Sequence, residues 1–339
     1  MIDKINPLVT IGLTTYNRPD FLIEAVNSVL NQKYKNFKLI IGNDYPESKV
    51  TFADLGIDED PRVKIINYKE NSGGEINNLN YLLSQANSEW FTWLADDDVL
   101  HSSFLDSMIQ TLKNSGDNLI GVYGTYVSGL NPSDEFFNKD ITKNFMNLNS
   151  VDFISKYLSK DFNLVGCYGL MRTDKLNKIG GFPSLGPSEG SYCDTIIPIL
   201  LSEYGYINVI NAPLIYLRTH DKSYSSNIAS LNYYTSAESD FLEKISTVCD
   251  NVSSKSFKNK CIYLMVHWFT ANEFSVLYRG TQELKTYQKF YLVINLIIYQ
   301  IKFNYPRIKI RYWLHHTLHI FKNIFSLFLQ LIKSLNTYK

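Results

Sequence analysis

No apolar run in the sequence is long and uninterrupted enough to cross a bilayer. The segment Met1 to Pro7 has no basic stretch leading into an apolar core, so a secretory signal is not expected. Cysteine is scarce. Cys167, Cys193, Cys249 and Cys261 lie far apart with no CxxC pair, which speaks against a disulfide framework or a zinc site and suits a reducing cytoplasm. Net charge is also missing: 33 basic and 33 acidic residues cancel, so no global field draws the chain to nucleic acid. What remains is an ordinary globular composition rich in aromatics, with 24 Tyr and 20 Phe. At 339 residues it is long enough for two domains, or for one with an appendage.

The stretch Trp90 to Leu100 organises the chain. An apolar run of strand length ends in three consecutive carboxylates, Asp96, Asp97 and Asp98, and apolar residues resume at once. Three like charges at the end of a buried strand repel one another and raise each other's pKa unless a cation or a set of donors compensates. A hard divalent metal shared with phosphates is one compensation; a helix cap or a solvated turn is the plainer alternative.

Around that stretch, strands and helices alternate. Leu8 to Thr14 reads as a buried strand, followed by the polar loop Thr15-Tyr16-Asn17-Arg18 and a helix from Pro19 or Asp20. Phe37 to Gly42 is a second strand delivering Asn43-Asp44, Val63 to Asn67 a third, Asn71-Ser72-Gly73-Gly74 a turn, and Ile76 to Ala86 a helix. Further on come a helix over Phe104 to Leu112, a strand over Leu119 to Val127, a polar loop over 129–150, a helix over Val151 to Leu158, and a strand over Leu164 to Met171 that runs into a turn at Arg172-Thr173-Asp174. Ligands of a doubly wound α/β sheet bind beyond the carboxyl ends of its strands, where Thr15 to Arg18, Asn43-Asp44 and Asp96 to Asp98 should converge.

Val-Thr-Ile-Gly-Leu-Thr-Thr-Tyr-Asn-Arg, an Asp after the second strand, Asn-x-Gly before a helix and Leu-x-x-Asp-Asp closing a strand, in this order, resemble the family-2 glycosyltransferases of the GT-A fold over about residues 7–225. The resemblance implies a Rossmann-like, mostly parallel sheet flanked by helices, with a nucleotide-sugar part over about 1–100 and an acceptor part over about 101–225. It also implies that Thr15, Tyr16, Asn17, Arg18, Asn71 and Gly73 line the nucleotide-sugar site, that Asp44 hydrogen-bonds the base, and that Asp96 to Asp98 form the DxD element. In that element Asp96 and Asp97 would contact the donor, and Asp97 and Asp98 would hold Mn2+ or Mg2+ across the diphosphate. Ala95 stands where many members carry the first Asp, and Asn77-Asn78 where Ala-Arg-Asn is common, so an arginine that could touch the nucleotide is absent.

The segment Ile179-Gly180-Gly181-Phe182-Pro183 is similar to the family's turn before the acceptor region. Asp194 matches the spacing of the family's general base; without the resemblance, an Asp at a helix start reads as a cap, and Glu189 is the fallback base. Tyr216-Leu217-Arg218-Thr219-His220 is similar to a Tyr-x-Arg-x-His segment whose Arg or His approaches the diphosphate and whose His can ligate metal, which would favour manganese. The plainer reading of His220 is a hydrogen-bonded loop histidine.

Beyond about residue 226, helical periodicity replaces strands, and Tyr233 to Val248 and Ser256 to Tyr278 read as amphipathic helices. After Glu283 no acidic residue remains, while Lys285, Lys289, Lys302, Arg307, Lys309 and Arg311 are interleaved with apolar and aromatic runs. Such a stretch over 284–339 suits peripheral contact with the inner face of the cytoplasmic membrane; a helical bundle or a dimer interface is the alternative, which leaves an oligomer open. The implied function is an inverting transferase that uses a nucleotide-diphosphate sugar, UDP favoured. Its acceptor would be a glycan or lipid-linked saccharide on the way to a capsule, lipopolysaccharide or other surface glycan. A sugar nucleotidyltransferase would instead call for a Gly-x-Gly-Thr-Arg loop after the first strand. A non-catalytic, membrane-associated assembly protein retaining the fold is the rival from another class.

Overall fold

The computed structural model describes residues 6–141, 144–186, 192–220 and 231–280, the side chains of 231–235, 267 and 270–280 excepted. The chain divides into two compact units, one of residues 1–185 and 189–223, the other of 186–188 and 224–339.

The first unit is built on β1 (Val9–Thr15), β2 (Phe37–Asn43), β3 (Val63–Asn67), β4 (Trp90–Ala95), β5 (Val99–Leu100), β6 (Leu119–Gly129), β7 (Phe145–Leu148), β8 (Leu170–Arg172) and β9 (Tyr206–Arg218). These form one sheet in the order β3-β2-β1-β4-β8-β6-β9-β5, with β7 on β9. The half β3-β2-β1-β4 is parallel. Beyond it β8 runs antiparallel to both β4 and β6, and β6 and β9 are again parallel. All seven residues of β1 and all six of β4 are buried, which is why both read as continuous apolar runs rather than alternating ones. Val9, Ile11, Leu13, Phe91 and Leu94 are fully enclosed, each side chain contributing about 1.5–3 kcal/mol of burial.

Seven helices accompany these strands among the described residues of this unit: α1 (Pro19–Leu30), α2 (Glu75–Ser84), α3 (Phe104–Lys113), α4 (Asp134–Asn138), α5 (Ser150–Leu158), α6 (Thr173–Lys178) and α7 (Cys193–Ser202). In α1, Leu22, Ala25, Val26 and Val29 make the buried face, and Pro19 sits in the first turn, where its missing N–H costs nothing.

Three local expectations change. Residues 129–150 hold α4 and β7, an edge strand whose Phe145 and Asn147 pair with Ile210 and Asn208. The expected strand at 164–171 is a short 3-10 turn, Gly166–Tyr168, with only Leu170–Arg172 extended. Thr173 and Asp174 open α6 instead of forming a turn. The second unit contributes α8 (Leu231–Val252) and α9 (Lys255–Gly280), near the bounds expected for the two amphipathic helices, and buries Phe241, Ile245, Met265 and Phe269. No helix among the described residues is long and apolar enough to cross a membrane. Residues 284–339, Glu189, and the segment after His220 lie outside the described residues.

Candidate active site

Strand register builds the site. β1 lies between β2 and β4, with Thr15 paired to Asn43 on one side and Thr14 paired to Ala95 on the other. The next residues along β2 and β4, Asp44 and Asp96, therefore flank Thr15. The Asp44 N–H donates to the Thr15 carbonyl at 3.0 Å, and the Thr15 hydroxyl donates to Asp96 Oδ2 at 2.7 Å. The three polar clusters read from the sequence meet at this edge.

The acidic triplet is a tight turn between β4 and β5, closed by the Asp98 N–H on the Ala95 carbonyl at 3.4 Å. Its charges are met one by one. Asp96 also accepts from the Tyr16 N–H at 3.3 Å and from Arg18 Nη1 at 3.0 Å. The same Arg18 nitrogen lies 3.0 Å from Asp97 Oδ2, and His220 Nε2 lies 3.1 Å from that oxygen. Burial pushes the Asp96 carboxyl up to about 6 against the pull of Arg18. Burial and the Asp97 charge push Asp98 up to about 7.

Asp97 is the member of the triplet that is not fully buried. Asp98 faces inward: one oxygen accepts from the Tyr168 hydroxyl, the other from the Arg218 N–H at 2.9 Å. The cause is the antiparallel pairing of β5 with β9, which lays the end of β9 across the turn. Arg218, expected at the diphosphate, is enclosed for the same reason. Its Nε donates to the Asp97 carbonyl at 3.0 Å, Nη1 to Asn131 at 2.8 Å and Nη2 to Glu24 at 2.5 Å, while the guanidinium lies over the Phe21 ring. Its side chain is 2% exposed, so it holds the acidic turn rather than facing the opening.

Asp44 is likewise buried. Its two oxygens accept from the Ser72 N–H at 2.6 Å and the Ser72 hydroxyl at 2.8 Å, which fastens the Asn71 to Gly74 turn to the end of β2. Asn71 donates to the Asp44 carbonyl at 3.2 Å and accepts from the Gly73 N–H at 2.9 Å. Gly73 has φ of +89°, where a side chain would be strained. Asn17 also takes the left-handed region, at φ +53°. Tyr16 is 54% exposed and packs edge-on against Tyr45, ring centroids 5.2 Å apart, leaving an aromatic rim beside Asp44.

Asp194 stands in the first turn of α7. The helix is capped by the left-handed Tyr192 with no side-chain cap hydrogen bond, so Asp194 is not the cap residue. Its side chain reaches solvent, but the surrounding protein strips enough water from the carboxyl to hold it above the usual range. The 3-10 turn links it to the acidic triplet: Tyr168 at one end holds Asp98, and a Cβ on Gly166 at the other would come within 1.9 Å of the Asp194 carbonyl. Only glycine lets α7 begin there. Gly180 and Gly181, both at positive φ, are held by Asn80 of α2, which exchanges two 2.8 Å hydrogen bonds with the Phe182 backbone.

Sequence reasoning missed four contributors: Ser72, Tyr168, Glu24 and Glu75. Glu75 opens α2 beside the triplet. Desolvation, then the charges of Asp96 and Asp97, push its carboxyl up to about 7. An acid two residues after the glycine of Asn-x-Gly could have marked it, whereas the partners of Asp98 and Arg218 come from 70 or more residues away and leave no local signal.

A divalent cation fits this arrangement. Among the described residues no three His, Cys, Asp or Glu side chains converge as a ready cage. A cation that takes its remaining ligands from phosphates, however, needs only one or two from protein. Asp97 Oδ2 and His220 Nε2, a carboxylate and an imidazole aimed at one another 3.1 Å apart at the open side of the turn, are such a pair.

The profile of the family described as "Glycosyl transferase family 2" matches residues 10–180, half of the chain. A Campylobacter jejuni protein named GalNAc(5)-diNAcBac-PP-undecaprenol beta-1,3-glucosyltransferase is 29% identical over 177 residues, covering 51% of this chain and 55% of that one. Glycosyltransferase GlyG of Streptococcus pneumoniae is 27% identical over 124 residues, covering 36% and 41%. The chain spans from 18% to 55% of the length of the curated relatives it matches. Among solved structures, S. aureus TarS 1-349 in complex with UDP-GlcNAc is similar in fold, with a TM-score of 0.56 at 15% identity over 85% of this chain and 79% of that one. The fold is thus that of the GT-A transferases, and the chain belongs to glycosyl transferase family 2.

Proposed function

We propose that the protein is an inverting glycosyltransferase that moves a sugar from a nucleotide-diphosphate sugar, UDP favoured, to a saccharide or lipid-linked saccharide in surface-polysaccharide synthesis. The observation that carries this reading is the convergence of Thr15 to Arg18, Asp44 and Asp96 to Asp98 at the carboxyl edge of the parallel half-sheet. The fold unit that would do this is residues 1–225, followed by a C-terminal region over 226–339 that carries the basic residues after Glu283.

In this reading the Tyr16 and Tyr45 rim offers a face for the base. Asp44, through Ser72, orders the Asn71 to Gly74 turn as a wall of the nucleotide pocket. Arg18 holds Asp96 and Asp97 in place until the donor arrives. Asp97 and His220 would hold Mn2+ or Mg2+, with Asp98 and Arg218 fixing the turn beneath them. Bound there, the cation would supply positive charge against the departing diphosphate. Asp194 accepts the proton of the acceptor hydroxyl as its oxygen attacks the anomeric carbon opposite the leaving group, and a carboxyl held above the usual range is better suited to that task near neutrality.

Incubating the full-length protein with UDP-, GDP- and dTDP-sugars, Mn2+ and a saccharide acceptor should release UDP from a UDP-sugar with formation of a glycosylated product. Pyrophosphate-dependent exchange would point instead to a nucleotidyltransferase. Failure to bind any nucleotide would leave a non-catalytic assembly protein. A cytoplasmic position at the inner membrane face, reached through the basic residues of 284–339, belongs to the same proposal. Truncation after Glu283 should then abolish flotation with anionic liposomes, and unchanged flotation would favour a helical bundle.

A further inference from the structure

Glu75 brings a fourth carboxylate to the cleft, and neither the nucleotide pocket nor the proton transfer accounts for it. It is the first residue of α2, directly after Gly73 and Gly74, and it reaches solvent although the protein around its carboxyl strips away part of its water. Its hydrogen-bond partner Thr14 pairs across β1 and β4 with Ala95, the residue just before Asp96, which places Glu75 beside the acidic turn. Thr14 Oγ1 donates to Glu75 Oε1 at 3.4 Å, the one hydrogen bond to this carboxyl among the described residues. The nearby Arg18 is engaged by Asp96 and Asp97. Glu75 is therefore exposed beside the acidic turn with acceptor positions left over, and no cation among the described residues is bonded to it.

A carboxylate so placed repels a diphosphate. Its complement on a nucleotide-sugar is the uncharged, hydroxyl-bearing part, because two neighbouring hydroxyls can each donate to one carboxylate oxygen, and hydrogen bonds to a charged acceptor are the stronger kind. We propose that Glu75 is a specificity-determining residue that accepts hydrogen bonds from a vicinal diol of the donor. The inference rests on the reading of this cleft as a nucleotide-sugar site. The ribose and the hexose both carry such a diol, and the experiment separates them.

Full-length wild type, Glu75→Gln and Glu75→Ala are titrated in Mn2+ with UDP, 2′-deoxy-UDP, UDP-glucose and UDP-GlcNAc, with thermal melting as the folding control. Glu75→Ala should weaken binding of the diol-bearing ligand about tenfold or more, and Glu75→Gln, which keeps one acceptor oxygen, should weaken it less. If the ribose supplies the diol, UDP itself weakens, and 2′-deoxy-UDP, which keeps only the 3′-hydroxyl, loses clearly less than UDP between wild type and Glu75→Ala. If the hexose supplies it, UDP is unaffected while a UDP-sugar loses affinity, and for a sugar that is transferred the KM rises with kcat kept within a few-fold. Equal binding of all four ligands by wild type and a folded Glu75→Ala overturns the inference alone. Wild type that binds none of them overturns the underlying reading of the site.

Discussion

Asp97→Asn should lower sugar transfer by about three orders of magnitude without lowering the thermal midpoint. Asp97 is the least buried of the three carboxylates and the one whose Oδ2 meets both Arg18 and His220. Asparagine keeps the size and the acceptor oxygen but removes the negative charge that would bind a cation, and with the cation goes the positive charge that would balance the leaving diphosphate. Stability moves the other way. The Asp97 charge raises both Asp96 and Asp98, so its removal relieves repulsion in a buried cluster and leaves Arg18 its pair with Asp96. A folded protein with unchanged or higher melting temperature and lost transfer separates a functional carboxylate from a structural one. Transfer within tenfold of wild type would remove Asp97 from the role assigned to it.

Asp194→Asn should reduce transfer by about two or more orders of magnitude while UDP binding persists. The residue does not cap α7, since Tyr192 occupies that position, and among the described residues the side-chain hydrogen bond to its carboxylate, from the Thr195 hydroxyl at 3.3 Å, is local. Little of the fold therefore depends on its charge. The loss should appear in kcat, because an amide cannot take the acceptor proton, and the KM for donor should stay within a few-fold. Initial rates at saturating donor, together with a UDP titration of the same variant, test this directly. Near-normal kcat would send the search for the base elsewhere in the cleft.

The edge where the clusters meet was legible in the sequence because it depends on strand order and on where each apolar run ends: Thr15 closes a buried strand, Asp44 and Asp96 each follow one, and parallel register aligns those ends. Which way each side chain turns was not legible. Asp98 and Arg218 face inward because β5 and β9 pair across more than a hundred residues of intervening chain, and Asp44 is turned by Ser72 of a turn 28 residues away. A motif fixes the residue type at a strand end, whereas the partner that orients it comes from a neighbouring strand that the motif does not contain. The short 3-10 turn was missed for a related reason. Leu164 to Met171 has the composition of a strand, but Gly166 must pass under the first turn of α7, and that contact is tertiary.

The most direct test of the account is the configuration of the product made by the wild-type protein. Given an α-linked UDP-sugar, Mn2+ and a saccharide acceptor, the account predicts a product whose new linkage, read from its anomeric proton coupling, is β. An α-linked product, or nucleotide exchange driven by pyrophosphate with no glycoside formed, would contradict it.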